Sequence, residues 1–366
     1  MKILVTGASG FIGQNLIARL NALEYNELYL CDRDTKKEEL IRYTQECDFV
    51  FHFAGVINPL QKDEYMEGNF VFTYELINML KEHKNHVPVL LTSTVSAGLH
   101  TPFVASKRAA EDLLNDYSVG TGADIYIYRL PSIFGKWATP NHSNAVATIC
   151  YNIARNISWE NSNSDIGEEN EFIYIEDVLD QFICCLSNKV TCFNDNNLFD
   201  IPCMYKKSEK EICVLVKEFA YSREMGILSD ISDDFTRKLY NTFLTYLPSE
   251  NISLTPKNSG SIFKIDGFGE VSVEIVKVGE TFGNSALSTQ SIKYVVVSGE
   301  GVMRLRAVNE KEVHEYAVSS ATVKVVDVPI GYACHIENSS DSDMAVLVFT
   351  SQTAGKTNDS IIDISV

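Results

Sequence analysis

The sequence predicts an α/β domain of Rossmann type, with a doubly wound parallel sheet, followed by an all-β domain of sandwich or jelly-roll form. Three observations predict it. Short apolar runs alternate with amphipathic stretches over residues 1–135, a glycine-rich turn joins the first strand to the first helix, and beyond residue 247 the texture changes to short strands at near-regular spacing. Alternating β and α elements call for a parallel sheet whose crossover helices cover both faces. Short strands separated by turn residues call for a sandwich or jelly roll.

Residues 3–6, 28–32, 49–53, 87–93 and 124–128 read as the parallel strands. Residues 69–83 and 106–117 carry apolar side chains at three- and four-residue steps, as helices covering a sheet do. The Asn- and acid-rich stretch 160–170 is expected to form a surface loop or lid, and 194–197 a polar turn. The chain divides by texture into a dinucleotide-binding domain, 1–248, a Ser/Pro/Asn/Gly-rich linker, 249–261, and a β domain, 262–366. Within the last, strands are expected at 271–278, 293–297, 302–308, 313–318, 323–328 and 344–349.

Composition narrows the class. With 366 residues the chain is long for one core, and at 45% hydrophobic and 10% aromatic it is not a disordered one. A net charge of −18 argues against a nucleic-acid surface and against an acidic membrane leaflet. No apolar run approaches the roughly 20 residues that span a bilayer, and the chain begins directly in a strand. These features predict a cytoplasmic protein without membrane insertion. Nine cysteines without framework spacing suit a reducing compartment, and the adjacent Cys184 and Cys185 read as packing residues.

The strand 3–6 runs into Gly7-Ala8-Ser9-Gly10-Phe11-Ile12-Gly13 and then a helix. Glycines there permit a tight turn and close approach of backbone to a pyrophosphate, and the N–H groups at the helix start attract phosphate charge. Strand, turn and helix in that order are the context such a motif needs. Asp32 and Arg33 close the second strand. An acidic side chain there suits the ribose hydroxyls of NAD, an arginine the extra phosphate of NADP, and the residues leave both open.

The Gly-x-x-Gly-x-x-Gly spacing resembles that of the extended short-chain dehydrogenase/reductase family. His52-Phe53-Ala54-Gly55-Val56 resembles its His-x-Ala-Gly stretch, Thr92-Ser93-Thr94 its active-site strand end, and Phe172-Ile173-Tyr174-Ile175-Glu176-Asp177-Val178 its Tyr-Val-Asp-Asp-Val segment. Arg129 to Gly135 resembles its Arg-x-x-Asn-x-x-Gly motif, with Ser132 where Asn is usual. Tyr128 to Trp137, Pro140-Asn141, Thr245 to Ser249 and Val328-Pro329-Ile330-Gly331-Tyr332 extend the likeness to the CapF-like bifunctional enzymes of capsular polysaccharide synthesis. These join a reductase to a C-terminal metal-dependent cupin. The resemblance implies a cupin-like second domain, a homodimer, a UDP-sugar partner, C3 epimerisation of a UDP-4-keto-6-deoxy-N-acetylhexosamine by the cupin and C4 reduction by the reductase. It puts NADP(H) ahead of NAD(H). It also implies Gly7, Gly10, Phe11, Ile12, Gly13, Asp32, Arg33, Ala54, Gly55, Lys107 and Pro131 as cofactor residues, Thr94 and Lys107 as catalytic ones, and Lys136, Asn141 and His142 as sugar contacts.

Two departures stand against that likeness. The family's Tyr-x-x-x-Lys pair places a phenol that gives a proton to the alkoxide, beside a lysine that holds the ribose and lowers the phenol's pKa. Lys107 is present, but Phe103 stands where the tyrosine belongs, and no Tyr-x-x-x-Lys occurs elsewhere. In the cupin, Ser285, Leu287 and Ile292 stand where metal ligands are expected, and Cys334, with His335 beside it, stands at the late histidine. The sequence therefore predicts no metal and no metal-dependent epimerase. Three readings follow: a silent or impaired relative that binds a dinucleotide and a UDP-sugar, a working reductase using Thr94 or water as proton donor, and a structural dimer with vestigial sites. Loss of key groups in both domains favours the first.

Overall fold

The structure is a computed structural model that describes all residues except 58, 60, 62, 96–100, 159–168, 188–197, 200, 226–228, 255–269, 288–289, 352–360 and 364–366, and the side chains at 254, 270, 284–287 and 361–363. Most of the expected lid, the polar turn 194–197 and the latter half of the expected linker lie outside the described residues. The rest groups into two compact units, one of 1–143 with 171–206, the other of 144–170 with 207–366.

The first unit is built on six parallel strands: β1 (Ile3–Thr6), β2 (Leu28–Cys31), β3 (Phe49–His52), β4 (Val89–Thr94), β5 (Ile125–Leu130) and, after a short β6 (Ser132–Phe134) and β7 (Asn170–Tyr174), β8 (Leu198–Phe199). Their order is β2-β1-β3-β4-β5-β8, so the winding reverses between β1 and β3. A second small sheet joins β6, β7 and β9 (Met204–Lys207). Helices α1 (Phe11–Ala22), α2 (Lys37–Glu46), α3 (Phe72–Glu82), α4 (Pro102–Thr121) and, beyond α5 (Ala145–Ala154) of the other unit, α6 (Ile175–Leu186) make the crossovers. A π-helical turn, Met66–Val71, leads into α3.

Alternating side chains divide this core in two. Leu4, Val50, Leu91 and Ile127 meet Leu76, Leu80, Leu114 and Tyr117 of α3 and α4. On the other face Phe51 and Tyr128 meet Phe182 of α6, and Tyr128 meets Phe199. Local chemistry fixes α4, which carries the expected active-site pair. Thr101 accepts a bond from the Val104 N–H at its start, Pro102 sits in the first turn, and Gly122 at φ +76° ends it.

In the second unit α5, α7 (Glu209–Met225) and α8 (Asp234–Leu244) pack on one another. Ten strands follow: β10 (Ser253–Leu254), β11 (Glu270–Val276), β12 (Thr281–Leu287), β13 (Ile292–Ser298), β14 (Glu300–Ala307), β15 (His314–Ser319), β16 (Val325–Val328), β17 (Tyr332–Asn338), β18 (Met344–Thr350) and β19 (Ile361–Asp363). They form two five-stranded antiparallel sheets, β10-β16-β13-β18-β11 and β15-β14-β17-β12-β19. Asp327 of β16 is fully buried and takes ion pairs from Lys293 of β13 and Arg223 of α7, while Tyr240 of α8 accepts a bond from Lys293 at 3.1 Å. Those bonds tie α7 and α8 to β13 and β16 within this unit. The start of the expected linker is also ordered: Ser253 and Leu254 pair with Val326 and Val325.

Candidate dinucleotide and active site

β1 ends at Thr6, and the chain turns at Gly7 with φ +67°. A Cβ there would stand 2.8 Å from the Ala54 nitrogen, and one on Gly13 would stand 2.2 Å from the Gly7 carbonyl oxygen. Only glycine lets the turn lie against both β3's exit and the first turn of α1. Gly10 caps α1 without any side-chain bond. The N–H groups at Phe11, Ile12 and Gly13 therefore have no capping side chain competing for them.

A cleft of about 620 Å³ opens over this turn, at the carboxyl ends of β1, β2 and β3. It lies beside the point where the strand order reverses, as ligand crevices of such sheets do. Gly7, Gly10, Asp32, Arg33, Ala54 and Gly55 all line it. Asp32 accepts the Ser9 N–H at 3.0 Å and the Ser9 hydroxyl at 2.9 Å. Arg33 is exposed, and among the described residues no ion pair engages it.

Beneath the cleft runs a buried relay. Ala54 N–H donates to Thr6 Oγ1 at 3.2 Å, Thr6 Oγ1 meets His52 Nδ1 at 2.7 Å, His52 Nε2 meets Thr73 Oγ1 at 2.8 Å, and the Thr73 hydroxyl donates to the Asn69 carbonyl at 2.6 Å. Since the Thr73 proton goes to the Asn69 carbonyl, His52 Nε2 carries a hydrogen and donates it to Thr73. Burial, reinforced by the charge of Lys107, pushes the His52 pKa down to about 3. Asn69 extends the frame: its Oδ1 accepts the Val56 N–H at 2.8 Å and its Nδ2 donates to Ser106 Oγ at 2.9 Å. The π-helical turn is thereby bonded both to the Gly55 loop and to α4.

Lys107 follows Ser106 and is buried. Its Nζ donates to the Thr92 carbonyl at 3.2 Å, and a Cβ added to Gly55 would come within 3.2 Å of it. Burial lowers its pKa to about 8, against a raising pull from Glu111. Glu111 is itself held by Arg129, at 3.0 and 2.5 Å. Lys107 is thus a cation aimed at the mouth of the loop without a carboxylate bonded to it. Thr94, at the end of β4, is half-buried. Phe103, one turn before Lys107, packs its ring against Tyr65, with centroids 5.6 Å apart and planes at 59°.

Other expected contacts lie elsewhere. Lys136 is buried in an ion pair with Glu176, and its carbonyl accepts from Asn15 at 3.1 Å, so its ammonium is engaged within the fold. Pro131 is half-buried between β5 and β6, and Asn141 and His142 are exposed on a loop where Trp137, Asn141 and Ser143 all have positive φ. None of these four lines the cleft. Sequence reasoning missed Ser9 and Asn69. Ser9 lay inside the glycine run, but an Asn in a helical stretch carries no signal of its own.

In the second unit, Cys334 and His335 face opposite ways along β17. Cys334 is buried with its Sγ 3.7 Å from the Tyr294 hydroxyl, whereas His335 Nε2 lies 3.1 Å from Arg304 on the outer face. The pair cannot join in one site. Ile292 is buried, and the side chains of Ser285 and Leu287 lie outside the described residues. Among the described residues, no three of His, Cys, Asp and Glu come together as metal ligands, and no helix is long and apolar enough to cross a membrane.

Comparison with known proteins agrees with this architecture. Residues 3–195 match the NAD dependent epimerase/dehydratase family, and residues 260–360 match the polysaccharide biosynthesis C-terminal domain. The UDP-2-acetamido-2,6-beta-L-arabino-hexul-4-ose reductase of Pseudomonas aeruginosa is 31% identical over 365 residues, 98% of this chain and 97% of that one. The crystal structure of the capsular polysaccharide assembling protein CapF from Staphylococcus aureus superposes with a TM-score of 0.65 at 34% identity, covering 100% of both chains. A UDP-glucuronic acid 4-epimerase from Bacillus cereus, solved with NAD, shares the fold over 67% of this chain and 98% of that one, at 18% identity and a TM-score of 0.54. The chain belongs to the NAD dependent epimerase/dehydratase family, among those members that carry a polysaccharide biosynthesis C-terminal domain.

Proposed function

We propose that this protein binds NADP(H) in preference to NAD(H), together with a UDP-4-keto-6-deoxy-N-acetylhexosamine, in a reductase site whose usual acid is missing. Residues 1–248 would carry the site, joined by 249–261 to a cupin-like domain, 262–366, that performs no metal-dependent C3 epimerisation and serves a homodimer. The observation that carries the reading is the cradle at Gly7 and Gly13, where no Cβ fits, together with a buried Lys107 directed at Gly55.

Each group has a task. The backbone of Gly7 to Gly13 would take the pyrophosphate, and Lys107 the nicotinamide ribose. Ser9 already engages the Asp32 carboxylate, while Arg33 stands exposed at the rim for a 2′-phosphate, which supports NADP(H). When bound, the dinucleotide supplies a hydride to the sugar's C4 carbonyl. Thr94 would polarise that carbonyl. Phe103 keeps the ring of the usual tyrosine but gives no proton, and loss of a positioned acid lowers a rate by about 10²–10⁴-fold.

The test follows NADPH oxidation with the 4-keto sugar nucleotide in the native protein and in Phe103→Tyr. The expected result is slow native turnover that the variant raises by about 10²-fold or more. Native turnover at full rate would defeat the impaired reading in favour of a working reductase. Absence of NADPH binding in both would leave the structural-dimer reading in its place.

A further inference from the structure

We propose that Tyr65 is the proton donor that replaces the tyrosine missing at Phe103. The inference rests on the reductase reading above. Its ring is in contact with that of Phe103, tilted at 59° with centroids 5.6 Å apart, a distance usual for aromatic pairs. It therefore puts a phenol against the side chain that stands in the family's acid position. Tyr65 is half-buried and directly precedes the π-helical turn Met66–Val71. π-turns inside helices concentrate at functional sites. That turn is bonded to Ser106, the neighbour of Lys107, through Asn69 Nδ2 at 2.9 Å, and to Val56 through Asn69 Oδ1 at 2.8 Å. The turn that Tyr65 precedes is thus bonded both to the residue beside Lys107 and to Val56 of the cleft lining.

The chemistry balances without a further reagent. As a hydride from the dinucleotide, which would be oxidised in losing it, bonds to the carbonyl carbon, the C=O π pair moves onto oxygen. The Tyr65 O–H bond breaks, its proton passes to that oxygen, and the sugar hydroxyl forms. Lys107 stabilises the phenolate, which takes a proton back from water.

The experiment compares the native protein, Tyr65→Phe, Phe103→Tyr and the double variant, by turnover and by fluorescence titration with NADPH alone. The expected outcome is a further loss of at least tenfold in kcat for Tyr65→Phe, with the dissociation constant for NADPH within threefold of native. The double variant should match Phe103→Tyr, because the phenol has only moved. Tyr65→Phe turning over at the native rate would overturn the proposal and leave the reductase reading intact. So would a silent native protein beside an active Phe103→Tyr. A parallel loss of NADPH affinity in Tyr65→Phe would also overturn it, by showing that the ring only supports the loop. No NADPH binding by any of the four would overturn the reductase reading itself.

Discussion

At the scale of single residues, two neighbours just beyond β2 differ in their surroundings. Asp32 is held by the Ser9 N–H and hydroxyl, and Arg33 projects exposed at the cleft. A guanidinium bonded to a phosphate is a charge-assisted pair worth about 1.5–3 kcal/mol. Arg33→Ala is expected to weaken NADPH binding about tenfold or more while leaving NADH within twofold, as read by fluorescence titration. An equal loss for both cofactors would assign Arg33 to the loop's structure instead. Single-residue chemistry was also where the sequence was most legible. Glycine at 7 and 13, lysine at 107 and phenylalanine at 103 each announce what they can and cannot do by type and spacing. Lys136 did not. Whether an ammonium faces a ligand or a carboxylate such as Glu176 depends on a partner 40 residues away, which no local pattern reveals.

Between elements, the relay through Thr6, His52 and Thr73 ties β1, β3 and α3 together under the cleft. Its histidine is neutral in the folded protein down to about pH 3, whereas an unfolded histidine takes its proton near 6.5. The unfolded state therefore binds more protons between those values. Stability that is fully present above pH 6.5 is lost as pH falls toward 3, on the order of 4 kcal/mol from this group. Urea midpoints from pH 7 to 4 should fall less steeply in His52→Asn than in the native protein, and equal slopes would refute the assignment. The parallel strands, the helices behind them and six strands of the β region were legible because period and turn chemistry are local. Strands β12 and β17 were not. β12 contains Gly283, Asn284 and Ser285, poor strand formers, and is a strand because β17 and β19 lie on either side of it. The π-helical turn escaped for the same reason: its Asn69 bonds to Val56 and Ser106, and nothing in the helical period marks it.

At the scale of the whole molecule, a buried charge cluster ties helices to strands within the second unit. Burial alone would raise the Asp327 carboxyl, but Arg223 and Lys293 beside it hold it below the usual carboxylate range. Removing that carboxylate leaves two buried cations with no counter-charge, a change that costs about 3–5 kcal/mol. Asp327→Asn is expected to lower the unfolding free energy of the second unit by that amount, as read from urea denaturation. A shift below 1 kcal/mol would mean that α7 and α8 are held by their apolar faces alone.

The opposite facing of Cys334 and His335 also limits how a metal centre could be built on β17. A strand has parity, and no substitution moves a residue from the odd set to the even. His335 can be changed to any ligand without bringing a donor to the interior, while Cys334→His would add one beside Tyr294. An engineered inward metal centre that uses β17 must therefore draw on its even positions. The histidine already present is on the wrong side of the count.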